Sequence, residues 1–125
     1  LGHLPGDMIQ AAAAGMDLTL LGHTHGGQVR FPPHKAWHTS SDFPSRHASG
    51  VVQLRRMMAV ISRGMGEGII EKLRIHCPRH VPVIILTRDE AEAAAWVQQC
   101  ENHAVPVTTI QPAENAQQIR SLVHW

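Results

Sequence analysis

Residues 20–28 read LLGHTHGGQ: an apolar run that stops at a glycine, two histidines one residue apart, two more glycines and a glutamine. The run leading in, DLTLL over 17–21, is short and mostly apolar, and predicts a buried strand whose C-terminal end delivers the loop. A glycine at the end of a strand lets the backbone turn sharply. Glycines after the histidines let the chain pass close to a bound group without Cβ clashes. Two imidazoles at i and i+2 of an extended loop reach one metal ion, or two adjacent ones, as neutral nitrogen ligands. The plain alternative is that His23 and His25 are polar loop residues bonded to backbone, since a bare H-x-H also arises by chance. His3 is the third candidate. It too sits where a strand end meets a helix, so if the two strands are parallel neighbours, His3 and His23 emerge at one edge of the sheet. That carboxyl edge is where open α/β sheets bind ligands.

Working outward, residues 5–14 (PGDMIQAAAA) combine a proline near the start, Asp7 where the helix dipole favours an anion, an alanine run, and Gly15 as a stop signal. This predicts a short helix. Residues 28–31 (QVRF) read as a short strand cut off by Pro32 and Pro33. Residues 32–49, with three prolines, serines and mixed charge but no periodicity, read as a long surface loop of the kind that is usually functional or mobile. Strands are predicted over 51–54, 57–62 and, most strongly, 81–87 (VPVIILT), with a Gly-Met-Gly-Glu-Gly loop at 64–68. The last third changes period: 89–101 has amphipathic helical spacing, 105–110 reads as a short strand and 113–123 as a second helix.

Composition bounds the rest. The chain has 125 residues, 43% hydrophobic and 17% charged, which suits one globular domain with an ordinary core. A net charge of +1, from eleven basic and ten acidic residues, gives no field that would argue for nucleic acid or an anionic membrane. Cys77 and Cys100 form no C-x-x-C pair, which points to reduced thiols in a reducing compartment. No apolar stretch approaches the roughly 20 residues that span a bilayer. The chain begins at Leu1, inside what reads as a strand end, so the expectation is a piece of something longer.

The histidine loop carries a specific resemblance. Gly22-His23-Thr24-His25-Gly26-Gly27-Gln28 resembles the last metal-binding motif of the calcineurin-like metallophosphoesterases, in the bacterial branch with a G-H-T-H-G-G-Q loop. Leu1-Gly2-His3-Leu4-Pro5 is similar to that branch's H-x-P segment, and residues 60–66 (VISRGMG) to its S-R-G-x-G strand and turn. Leu73-Arg74-Ile75 and 83–86 (VIIL) resemble its closing strands, so the likeness spans residues 1–88 with order and spacing kept.

The resemblance implies an α/β fold, the C-terminal half of a calcineurin-like two-sheet α/β sandwich with flanking helices, over 1–88. Residues 89–125 would then be a helix-strand-helix extension without a counterpart. It further implies a metal-dependent phosphoester hydrolase, a phosphodiesterase or phosphatase. Two divalent ions (manganese, iron or zinc) would serve the full-length parent, with His3 and His23 ligating one and His25 the other. A bridging hydroxide would attack phosphorus while the cations stabilise charge on the phosphoryl oxygens. Substrates would be phosphate esters of the nucleotide or lipid-headgroup class.

Half of that site lies outside these residues. The family's D-x-H, G-D-x-x-D and G-N-H-[DE] motifs, the last of which holds the proton donor, do not occur in this sequence. Physics agrees: two divalent cations bring four positive charges, and three neutral imidazoles do not offset them without a bridging carboxylate. Asp17, the nearest acid, is six extended residues from His23, about 20 Å away, and cannot bridge. The N-terminal half of the same domain is therefore required for activity, and the 125-residue chain alone is expected to be inactive. The rival reading is a non-catalytic module, degenerate or truncated, that binds one ion or a partner. The expected location is cytoplasmic, with membrane association through an upstream segment left open.

Smaller features stay open in both directions. Gly6 and Arg79-His80 depart from the branch's usual acidic and Pro-Glu residues. Arg63 is a candidate substrate-binding residue facing phosphate, or equally an arginine bonded to carbonyls of the 32–49 loop. Gly64-x-Gly66-x-Gly68 lacks the lysine and spacing of a phosphate loop and reads as a plain turn. His34, His38 and His47 read as solvated loop histidines, and Trp37 as either a stacking surface or a loop anchor. His76, Cys77 and His80 without a second ligand pair read as structural. His124 and Trp125 read as a terminal cap.

Overall fold

The computed structural model describes residues 1–68, 73–111 and 119–123. The apolar runs around the histidine loop build a mixed α/β fold on one four-stranded sheet: β1 (Leu18–Leu21), β2 (Gly50–Leu54), β3 (Met57–Ile61) and β4 (Arg120–Val123), in the order β1-β3-β2-β4. β1 runs parallel to β3, with Leu21 opposite Ile61, while β2 lies antiparallel to both β3 and β4. β3 reads MMAVI and is buried at every position. A continuous apolar run of this kind is what a central strand covered on both faces needs. Val52, Met57, Ala59 and Ile61 point to one side, where α1 (Asp7–Ala13) drops Met8 onto them together with Leu21. Val51, Met58 and Val60 point to the other, against Leu18, Leu20 and Ile110.

Parallel pairing of β1 with β3 puts the loops that leave their C-terminal ends at one edge of the sheet. The antiparallel partner β2 starts at the same edge, with Gly50 opposite Ile61, and so brings in residues 45–49 as well. Three loops converge there, and the histidine motif is the one that leaves β1. Residues 2–3 run alongside the end of β1: the Gly2 N–H donates to the Leu20 carbonyl at 3.0 Å and the Gly22 N–H to the His3 carbonyl at 3.2 Å. His3 thus reaches the edge without belonging to a full strand.

Several expectations for the periphery are corrected. Residues 28–31 form isolated bridges, Val29 with Ile75 and Arg30 with Ala36, rather than a strand. The run 81–87, the strongest strand candidate, joins no ladder among the described residues: pairing ends at the Gly64–His80 bridge, and Val81, Val83 and Leu86 face solvent. Apolar, β-branched composition favours an extended backbone, but a strand exists only where a neighbour supplies hydrogen bonds, and Pro82 removes one donor. Residues 105–110 likewise form no strand. The helix expected over 113–123 is overturned at its end, where 120–123 form β4 and close the open edge of β2; residues 113–118 lie outside the described residues, as do His124 and Trp125. α2 (Glu90–Asn102) is present, capped by Asp89, whose carboxylate accepts from the Glu92 N–H at 2.8 Å. Among the described residues no helix is long and apolar enough to cross a membrane.

Candidate metal centre

Three residues of the loop, His23 (φ 66°), His25 (φ 49°) and Gln28 (φ 52°), occupy the left-handed region that side chains rarely adopt. Such backbone persists only where the surroundings over-determine it, and here they do. Thr24, between the histidines, is buried; its hydroxyl donates to the Ala48 carbonyl at 2.5 Å and accepts from the Gly26 N–H at 3.2 Å. Gln28 is buried as well, accepting from the Gly68 N–H at 2.7 Å and donating to the Leu73 carbonyl at 3.1 Å. Arg30 reaches back from below, donating to the Gly26 carbonyl at 3.0 Å and the Ser49 hydroxyl at 2.6 Å. Gly26 has no room for anything larger: a Cβ there would lie 2.5 Å from Arg63 Cγ and 2.8 Å from Cys77 Sγ.

His3 and His23 come together. His23 Nδ1 lies 3.0 Å from His3 Nε2, with the rings edge to face at a centroid distance of 4.8 Å. The other nitrogen, His23 Nε2, is 2.9 Å from the Ser40 carbonyl. A carbonyl only accepts, so Nε2 carries the proton and Nδ1 presents a lone pair toward His3. His3 Nε2–H then donates to it. Two nitrogens each about 2.1 Å from one ion and at a right angle also stand about 3.0 Å apart, so the pair fits adjacent positions on a divalent cation. Behind His3, the Asp7 carboxylate accepts the backbone N–H groups of both His3 and Leu4 at 3.0 Å. Asp7 therefore holds the turn that aims His3, a role that its placement in the first helical turn did not reveal.

His25 stands apart from that pair. Its Nδ1 lies 3.1 Å from the Gly66 carbonyl and must donate to it, which leaves Nε2 as the lone-pair nitrogen. Among the described residues no three or more histidine, cysteine, aspartate or glutamate side chains converge on one point. The donors present are thus a partial set, two imidazoles in one place and one in another, with no carboxylate among them.

A cavity of about 590 Å³ opens beside His23 and His25 and is lined further by Gln28, Trp37, Thr39 and Ser40. Trp37 is 78% exposed at its rim, and His34 and His38 are exposed as expected. His47 is not: it is 2% exposed, accepts at Nε2 from Arg46 Nε (3.1 Å) and donates from Nδ1 to the Ser121 hydroxyl (2.7 Å). Burial follows from position, because His47 sits on the loop that β2 pulls into the converging edge and meets β4 there. Arg63 is 7% exposed, its stem against Gly26, outside the described lining of the cavity. Burial lowers its guanidinium below the ordinary value; Cys77 opposes this, and Arg30 and Arg74 reinforce it. Burial, with Arg63 nearby, likewise holds His80 below the usual histidine range.

Sequence reasoning found the histidines from their glycine-flanked spacing. It missed Thr24, Gln28, Asp7 and Arg74, whose roles are hydrogen bonds to residues distant in sequence or to backbone atoms. No protein-family model, curated protein or solved structure matches the chain.

Proposed function

We propose that this chain supplies the histidine half of the metal site of a phosphoester hydrolase. Its four-stranded sheet would be part of a calcineurin-like two-sheet sandwich whose remaining ligands lie in a preceding segment. The observation that carries the reading is the His3–His23 pair: two ring nitrogens 3.0 Å apart at the carboxyl edge of a parallel strand pair, one of them tied to the Ser40 carbonyl so that its lone pair faces inward. Metal-ligating histidines are typically held in this way, with the second nitrogen bonded to a carbonyl. The separate placement of His25 supports the division of ligands between two ions that the motif resemblance implies. Bound manganese, iron or zinc would supply Lewis-acid polarisation of a phosphoryl oxygen. His3, His23 and His25 would hold the cations, and the cavity beside His23 and His25 would leave room for a phosphate ester.

A second reading, a metal-binding module without turnover, is favoured by the missing carboxylates. Sequencing the DNA upstream of the Leu1 codon separates the two: in-frame D-x-H, G-D-x-x-D and G-N-H-[DE] support the hydrolase, and their absence supports the module. For the site itself, calorimetric titration with Zn²⁺ or Mn²⁺ is expected to show weak binding that His23→Ala abolishes and that His3→Ala and His25→Ala reduce. Identical heats in the wild type and His23→Ala would overturn the assignment.

A further inference from the structure

The glycine turn at 64–68 reads in sequence as a plain connection, yet Gly66 and Gly68 contact the histidine loop and Arg74, while Met65 and Glu67 contact Arg79. The Gly66 carbonyl accepts from His25 Nδ1, and the Gly68 N–H donates to Gln28 Oε1. Arg74, with its side chain 7% exposed, spreads one planar guanidinium over four carbonyls: His25 at 3.2 Å, Cys77 at 3.3 Å, Arg63 at 3.0 Å, and that same Gly66. Glu67 offsets its charge from 3.6 Å. At the far end of the turn, a Cβ on Gly68 would lie 2.9 Å from His25 Cδ2 and 3.4 Å from His25 Nε2, the one ring nitrogen left with a lone pair.

We propose that Arg74 and the 64–68 turn are the supporting frame of the candidate metal centre. Arg74 is the positioning residue that holds the Gly66 carbonyl against His25 Nδ1–H and so makes Nε2 the ligating nitrogen, while the missing side chain at Gly68 keeps the approach to Nε2 open. This rests on the proposed metal-binding role of the histidines. Its geometric part, the choice of tautomer, stands without a metal.

The physical logic is that a neutral imidazole has two tautomers of nearly equal energy, so a single well-placed carbonyl decides which nitrogen is free. That carbonyl has two lone pairs, and Arg74 takes one with a rigid charged fork, fixing where the other points. A lysine would keep the charge and lose the fork. Outer partners of this kind typically change metal affinity by about 10–100-fold when removed.

The test uses the ¹⁵N-labelled chain. Long-range ¹H–¹⁵N spectra of the histidine rings without metal are expected to show His25 as the Nδ1–H tautomer in the wild type and as a mixture in Arg74→Lys. Zn²⁺ affinity by calorimetry is expected to fall about 10-fold or more in Arg74→Lys. Gly68→Ala is expected to lower it as well, with the His25 tautomer unchanged. Gly6→Ala, whose Cβ would meet nothing within 4 Å, serves as the control that binds as the wild type does. An Nε2–H tautomer at His25 in the wild type, or wild-type affinity in both variants, would overturn the proposal. A wild-type chain that takes up no Zn²⁺ instead overturns the metal reading, and the tautomer comparison then decides the role of Arg74 by itself. Should Arg74→Lys fail to fold, Gly68→Ala carries the affinity test.

Discussion

The histidine loop at 22–28 and the run at 81–87 behave in opposite ways to their compositions. The first is glycine-rich and polar, the makings of a mobile connection, and is pinned by buried hydrogen bonds from Thr24, Gln28 and Arg30 to loops more than fifteen residues away in sequence and to its own backbone. The second is rich in valine, isoleucine and leucine, the makings of a central strand, and pairs with nothing among the described residues. The lesson is that rigidity follows from satisfied partners rather than from residue type: a buried polar group with its hydrogen bonds made is held firmly, whereas an apolar extended segment without a neighbouring strand has no restraint beyond its own torsions. The loop also carries left-handed backbone at His23, His25 and Gln28, a cost of about 1 kcal/mol or more each that only dense surroundings sustain.

The sharpest way to break the contrast is to overfill the loop. Gly26→Ala would place a Cβ 2.5 Å from Arg63 Cγ at a residue whose φ is +67°. Steric overlap and left-handed strain together should destabilise by roughly 3 kcal/mol, read as a lower urea midpoint with an unchanged slope. A wild-type midpoint would mean that the loop is looser than its contacts imply.

A smaller effect comes from pH. His80, at the end of the paired region, has its folded-state pKa held below the ordinary value of 6.5 by burial and Arg63. Above that value both folded and unfolded chains carry it neutral. Below it the unfolded chain takes up a proton first, so stability is lost as pH falls from about 6.5 toward the folded-state pKa. Thermal unfolding at pH 7.5 and 5.5 should show this loss, and His80→Gln should lose less over the same interval. Equal losses would remove His80 from the account.

The smallest effect on stability belongs to the other region. Val83 is 82% exposed, so Val83→Lys should alter the unfolding free energy by no more than about 0.5 kcal/mol. The same change should reduce self-association in sedimentation or light scattering, because it places a charge on an uncovered apolar edge. A large stability loss would show that the run is covered in solution and would dissolve the contrast.

Much of the centre of this molecule was legible in its sequence. Continuous apolar runs announced β1, which stops at Gly22, and β3, the alanine run after Pro5 announced α1, and the G-H-T-H-G-G spacing announced the candidate ligands. Those signals are local, carried by residues adjacent in the chain. The parallel edge that brings His3 to His23 followed conditionally, as a consequence of pairing that periodicity suggests but does not specify. The periphery was less legible. Residues 81–87 have strand-forming composition and 120–123 read as the end of a helix, yet among the described residues only the second found an open neighbour, the free edge of β2. Arg63 was left between phosphate and backbone, and the fold buries it against Gly26.

By itself the sequence determined which residues are chemically equipped: three histidines with glycine beside them and an apolar run leading into two of them. Tertiary structure decided what composition leaves free. It chose which histidines meet, and it placed Asp7 behind His3 and Arg74 on the carbonyls of His25 and Gly66. It also made Gly68 part of the wall of a cavity. The reason is geometric: a hydrogen bond to a carbonyl selects a tautomer, and which carbonyl lies 3.1 Å from His25 depends on strand order and register, which no short stretch of sequence contains.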